Sequence, residues 1–154
     1  GIQNVYDVKS TEDGGYVVVG SFSGKLDIDG DGNTDSKSEG SLDQLITKYN
    51  AGGNIEWFKS SGTNKNDEFN SIDIAADGGY IVGGYVNSSN QKEALLVKFN
   101  SNGNKIWERT IGGNYDDQMN DIKVLANGDI VAVGKFASPT IVINNTTITK
   151  KRKE

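Results

Sequence analysis

Between Leu26 and Asp35 the chain reads LDIDGDGNTD, with carboxylates at Asp27, Asp29, Asp31 and Asp35. Counted from Asp27, side-chain oxygens fall at positions 1, 3, 5 and 9, and Gly32 holds position 6. In a tight loop of this spacing alternate side chains turn to one side and the glycine permits a sharp bend. The carbonyl of Asn33, at position 7, can add a backbone oxygen. Hard oxygen donors around one point suit a divalent cation. The flexible cage suits calcium better than magnesium, which demands a tighter octahedron and keeps its waters. The stretch carries four negative charges and the whole chain −5, so everything else carries only −1. Carboxylates packed this closely repel one another unless neutralised. The bland alternative is a solvated acidic hairpin without an ion. The metal's expected role is structural, ordering an insertion with too little apolar content to order itself.

Other chemistry is excluded by composition. The chain has no cysteine and no histidine, which removes disulfides, Cys/His zinc sites and every triad built on an imidazole. The acidic balance offers no basic face for phosphates, so nucleic acid is not an expected partner. The basic tail Lys150 to Lys153 reads as a solvated strand end, because it lacks interleaved aromatics. No apolar run reaches the ~20 residues needed to cross a bilayer, so membrane insertion is not expected. The chain opens inside a structural unit, which leaves any export signal upstream of it.

The elements that must position the acidic loop emerge from internal repeats. Residues 43–70 align without gaps with residues 93–120, with ten identities in 28 positions that include Lys48/Lys98, Trp57/Trp107, Asp67/Asp117 and Asn70/Asn120. The segments DGGYVVVG (13–20), DGGYIVGG (77–84) and NGDIVAVG (127–134) recur at spacings of 64 and 50. The first spacing is 14 residues longer than the period, and the excess lies between Gly20 and Asp43, where the acidic stretch sits. In the third unit TIVINNTTIT (140–149) falls opposite it, so the same place is reused without the charge.

Each unit reads as four strands. In the second these are FNSIDI, YIVGGYV, EALLVKFN and KIWERTI, joined at Asp-Gly and Asn-Gly pairs that predict two-residue hairpin turns. The strands VVV, YIVGG and IVAV are apolar on both faces and must be covered on two sides. A sheet repeated every ~50 residues and sandwiched between its neighbours describes a β-propeller blade better than a β-sandwich, which has no reason to repeat. The expected fold is therefore all-β, built of propeller blades that are four-stranded antiparallel meanders, in a partial or fragment propeller. Over residues 1–154, blade 1 spans about 4–61 with an insertion at 24–42, blade 2 about 68–112, and a partial blade 3 about 118–154. Trp57 and Trp107 are expected to pack between blades. Asp67, Asp117, Asn70 and Asn120 are expected to be turn or blade-linking residues.

The pattern D-G-G-Y-[VI]-V-x-G, then L-[IL]-x-K-[YF]-N-x-x-G-N-x-x-W, then D-x-x-N resembles the blade repeat of bacterial extracellular β-propeller proteins. The acidic motif resembles the D-x-D-x-D-G-x-x-D calcium loop of integrin-type propellers. Position 12 is Ser38, with Glu39 one residue further on, so the loop departs from the EF-hand pattern. The resemblance implies an extracellular or cell-surface bacterial location and says little of activity. Propellers close with ~4 to 8 blades. About two and a half would leave apolar faces open, so remaining blades or self-association are expected to cover them. Three functions fit: a non-catalytic calcium-binding module for a protein or glycan ligand, part of a carbohydrate-active propeller enzyme with paired acids near the axis, or a purely structural repeat.

Overall fold

The computed structural model describes residues 3–88, 90–138, 140–143 and 146–149. The basic tail, Lys150 to Lys153, and with it the end of the third unit, lie outside them. The chain is all-β. Strands β1 (Gln3–Ser10), β2 (Tyr16–Phe22), β3 (Lys25–Leu26), β4 (Ser36–Lys37), β5 (Asp43–Tyr49) and β6 (Ile55–Ser61) are followed by β7 (Glu68–Ile74), β8 (Tyr80–Ser88), β9 (Gln91–Phe99) and β10 (Lys105–Ile111). Then come β11 (Asp117–Val124), β12 (Ile130–Phe136), β13 (Thr140–Ile143) and β14 (Thr146–Thr149). One sheet has the order β1-β2-β5-β6 and a second β7-β8-β9-β10, both antiparallel meanders; β11 pairs with β12, and none of the sheets closes on itself. The hairpin β3–β4 is inserted between β2 and β5, and a hairpin β13–β14 follows β12 at the corresponding place.

The hairpins at the Asp-Gly and Asn-Gly pairs do not use two-residue turns. Each has a three-residue loop, such as residues 76–78, in which Gly78 N–H donates to the Ala75 carbonyl and Ala75 N–H to the Gly79 carbonyl. The same pair of bonds closes the loops after Thr11, Asn50, Asn100 and Leu125. Only the last loop residue, glycine in all five, has positive φ, as in a type I turn followed by a left-handed bulge residue. A primed turn would need a positive φ at its first central residue.

β1, β7 and β11 share a bulge, between Val5 and Asp7, Phe69 and Ser71, and Met119 and Asp121. Opposite it stand Gly20, Gly84 and Gly134, where a Cβ would lie within 2.0 Å of the carbonyl oxygen of Asn4, Glu68 or Gln118. That close approach explains the glycine that ends each of the three recurring octapeptides.

The sheets stack face to face. Val17, Val19 and Ile46 of the first meet Phe69, Ile72, Tyr80, Val82, Leu95, Val97 and Phe99 of the second in one core, with Trp57 packed at its side. The opposite face of the second sheet, through Ile81, Ala94, Leu96 and Ile111, meets Met119 and Ile122 of β11, with Trp107 beside them. β8 is thus covered on both faces, and its residues Tyr80 to Tyr85 are all buried, as its unbroken apolar run requires. Polar links cross the same interfaces. Asn70 Nδ2 donates to the Met119 carbonyl at 2.8 Å, and Asp73 accepts Val124 N–H at 2.8 Å and Lys123 Nζ at 2.9 Å.

Two outcomes follow. Gly78 and Gly103 are equivalent left-handed turn residues, but a Cβ on Gly78 meets nothing within 4 Å whereas one on Gly103 comes within 2.7 Å of the Trp57 ring. Gly78→Ala should cost about 1 kcal/mol for the left-handed backbone alone, and Gly103→Ala a further ~1 to 3 kcal/mol for overpacking the interface; equal midpoints in urea unfolding would refute that packing. Burial opposes ionisation of Asp73, but Lys123 and the Val124 and Ile74 amides outweigh it and hold its carboxyl below the ordinary range. Stability from this group is present above the unfolded value of ~3.9 and is lost as pH falls from there through the lower folded value. Asp73→Asn should therefore flatten the loss of stability below about pH 4, read as urea midpoints at pH 3 and pH 6; an unchanged difference would contradict it.

Candidate metal site

The acidic stretch forms the loop between β3 and β4. Lys25 pairs with Lys37 and Leu26 with Ser36, and the hairpin closes through Asp35 N–H to the Leu26 carbonyl at 2.8 Å and Ser38 N–H to the Gly24 carbonyl at 2.9 Å. Leu26 is fully buried and anchors it. The loop lies over the β5–β6 side of the first sheet: Ser36 Oγ meets Ser60 Oγ at 2.8 Å, and Ile28, Asp29 and Asp35 line a cavity with Tyr49, Ile55 and Phe58.

Within the loop the carboxylates turn back on its own amides. Asp27 accepts Gly30 N–H at 2.8 Å and Gly32 N–H at 2.9 Å, and Asp35 accepts Ile28 N–H at 2.8 Å. Asp29 accepts Asp31 N–H at 3.1 Å. Gly30 and Gly32 both take positive φ, at 79° and 88°, which lets the backbone wrap around the acids.

This winding brings Asp27, Asp29 and Asp35 together, each offering a carboxylate oxygen within 4.8 Å of the others. Calcium binds oxygen at about 2.3–2.6 Å and magnesium at about 2.0–2.1 Å, and one hard cation can gather oxygens that lie this close. The donor set is all oxygen, and among the described residues no lysine or arginine forms an ion pair with these carboxylates. The residues fit a hard divalent cation.

Asp31 is not in that group. Its carboxylate accepts Asn33 Nδ2 at 2.8 Å and Asn33 N–H at 2.7 Å. Those two bonds, the side-chain one foremost, hold its carboxyl below the ordinary aspartate range. The spacing rule counts the Asp31 carboxylate and the Asn33 carbonyl as ligands alongside the others; in the folded loop that carboxylate pairs with the N–H groups of the Asn33 backbone and side chain.

Other polar residues are committed to structure. Asp67 and Asp117 are fully buried. Asp67 accepts Thr63 Oγ1 at 2.9 Å and Asn87 N–H at 2.6 Å, and Asp117 accepts Gly113 N–H at 3.0 Å and Ser138 Oγ at 2.6 Å. Each fastens the loop before its unit to the end of that unit's second strand. Lys48, 4% exposed, bonds Asp13 at 2.9 Å and Glu56 at 2.8 Å. Burial alone would lower its pKa, but Glu56 and Asp13 more than offset that and raise it, so it stays protonated and is no nucleophile. One line of residues is not among the repeat identities above: Asp7, Ser71 and Asp121 occupy equivalent bulge positions, and Ser71 Oγ stands 3.2 Å from Asp7 and 2.7 Å from Asp121.

No family model matches the chain, and no curated protein matches it significantly.

Calcium titrated by calorimetry should bind, and Asp27→Asn, Asp29→Asn or Asp35→Asn should each weaken it at least about tenfold, as loss of a charged ligand does. Asp31→Asn should weaken it less. No heat at millimolar calcium, or Asp31 proving the most sensitive position, would overturn this assignment.

Proposed function

We propose that the chain is a non-catalytic, calcium-ordered β-propeller module of a secreted or cell-surface bacterial protein that presents its loops to a protein or glycan ligand. The observation that carries the reading is the serial stacking of equivalent units by their first strands. β1 lies against β7, and β7 against β11. Towards the last strands the sheets part, leaving a cavity of about 340 Å³ lined by Lys59, Ser60, Phe69, Phe99, Lys105 and Glu108. Blades that radiate from an axis converge and diverge in this way. The calcium loop then serves as a clamp: with an ion bound, residues 27–35 gain the order that their apolar content cannot provide.

A catalytic reading finds little support among the described residues. Two acids on the first strands, Asp7 and Asp121, already accept backbone amides: Asp7 those of Val8 at 2.8 Å and Ile72 at 2.9 Å, Asp121 that of Ile122 at 2.8 Å. A general acid needs a carboxyl free to meet substrate.

A glycan array probed in calcium, with the retained glycans assayed for hydrolysis, tests the proposal. Retention of intact glycans that is lost on chelation is expected. Release of new reducing ends from any bound glycan would overturn the non-catalytic reading.

A further inference from the structure

Among the described residues two faces are left open, and they are the two halves of an interface that the chain itself forms twice. On the incoming side of each unit, β7 presents Phe69 and Ile72, which are 2% and 0% exposed, and β11 presents Met119 and Ile122, at 2% and 4%. The equivalents on β1 are Val5 and Val8, at 66% and 53%. On the outgoing side, Val17 and Val19 of β2 are 0% and 1% exposed, whereas their equivalents on β12, Val131 and Val133, stand at 48% and 57%.

The polar links are likewise left unfinished. Across the two internal interfaces the bulge residue accepts the amide of the next unit: Asp7 takes Ile72 N–H at 2.9 Å, and Ser71 takes Ile122 N–H at 3.3 Å. Asp121 holds that position in the third unit and Val8 N–H is its missing counterpart. Asn70 Nδ2 donates to the Met119 carbonyl; Asn120, its exposed equivalent, is placed to do the same for Val5.

The shapes of the two faces also correspond. The acidic hairpin occupies the β5–β6 side of the first unit's outer face, through the Ser36 to Ser60 contact and the cavity beside Phe58, and leaves β1 and the Tyr16 to Val18 part of β2 less covered. Among the described residues the third unit's sheet has two strands, β11 and β12. The less covered strands on one side meet a two-strand sheet on the other.

We propose that the partner of both faces is a second copy of this chain, bound head to tail, with β11–β12 of each copy seated on β1–β2 of the other as β7–β8 are seated between their own neighbours. Each copy contributes three stacked sheets, so two copies bring six, within the ~4 to 8 that close a propeller, and two such contacts close a ring. The inference rests on the propeller reading above and is independent of calcium.

Sedimentation equilibrium on the 154-residue chain should give twice its mass of 16.5 kDa. Val8→Asp and Val133→Asp, both at exposed positions, should each leave a folded monomer by circular dichroism, with association weakened at least tenfold. Mixing the two variants should restore a dimer, because one contact then joins two unaltered faces. The chain has no cysteine, so Val5→Cys and Asn120→Cys proteins provide a second measurement: under oxidation each should cross-link to the other far more than to itself. A wild-type monomer at high concentration, a dimer indifferent to either aspartate, or a mixture that does not associate would overturn the proposal. A calcium-binding monomer would overturn this inference alone.

Discussion

Everything in this molecule depends on covering both faces of its inner strands. A strand such as Tyr80–Ser88, apolar on alternate and intervening positions alike, cannot present either side to water without loss of roughly 25 cal/mol for each Å² of apolar surface left exposed. The chain meets that demand by laying sheets against one another, so that one face of the second sheet completes the core with Val17, Val19 and Ile46 and the other completes it with Met119 and Ile122. The bulges, the glycines that face them and the short loops keep successive sheets close enough and similar enough for this to repeat.

The polar residues work inside the same constraint. Buried carboxylates at Asp67 and Asp117 replace water at amides that the stacking desolvates, which is the condition for burying a charge at all. The line Asp7, Ser71, Asp121 does so between units. The acidic loop belongs to the same arrangement in a different way: its hairpin is placed where the first sheet has no neighbouring sheet, and buried Leu26 fixes it there. Its charge faces outward.

Much of this was legible in the residues. The 50-residue period located the units, and the 14-residue excess located the hairpin that carries the acids, because insertions fall at connections and leave the strands in phase. The turn type was not legible, since Asp-Gly and Asn-Gly supply a left-handed glycine equally well to two-residue and three-residue loops. Nor was the divergence of Asp31 from Asp27, Asp29 and Asp35: spacing states which side chains can turn inward, while the choice rests on Asn33 bonding Asp31 first. Ser71 escaped notice because serine stands in the second unit where the other two have aspartate, so the match of the second unit with the third shows no identity there. The covering of the first sheet's outer side by the hairpin is a tertiary fact with no local signal.

Hydrogen exchange followed by mass spectrometry, on protein dilute enough to be monomeric, tests serial coverage most directly, because amide protection tracks how much packing must open to expose a strand. β8 and β9, covered on both faces, should exchange slowest, and β12, whose Val131 and Val133 face water, faster by orders of magnitude. Protection of β12 equal to that of β8 would contradict the account.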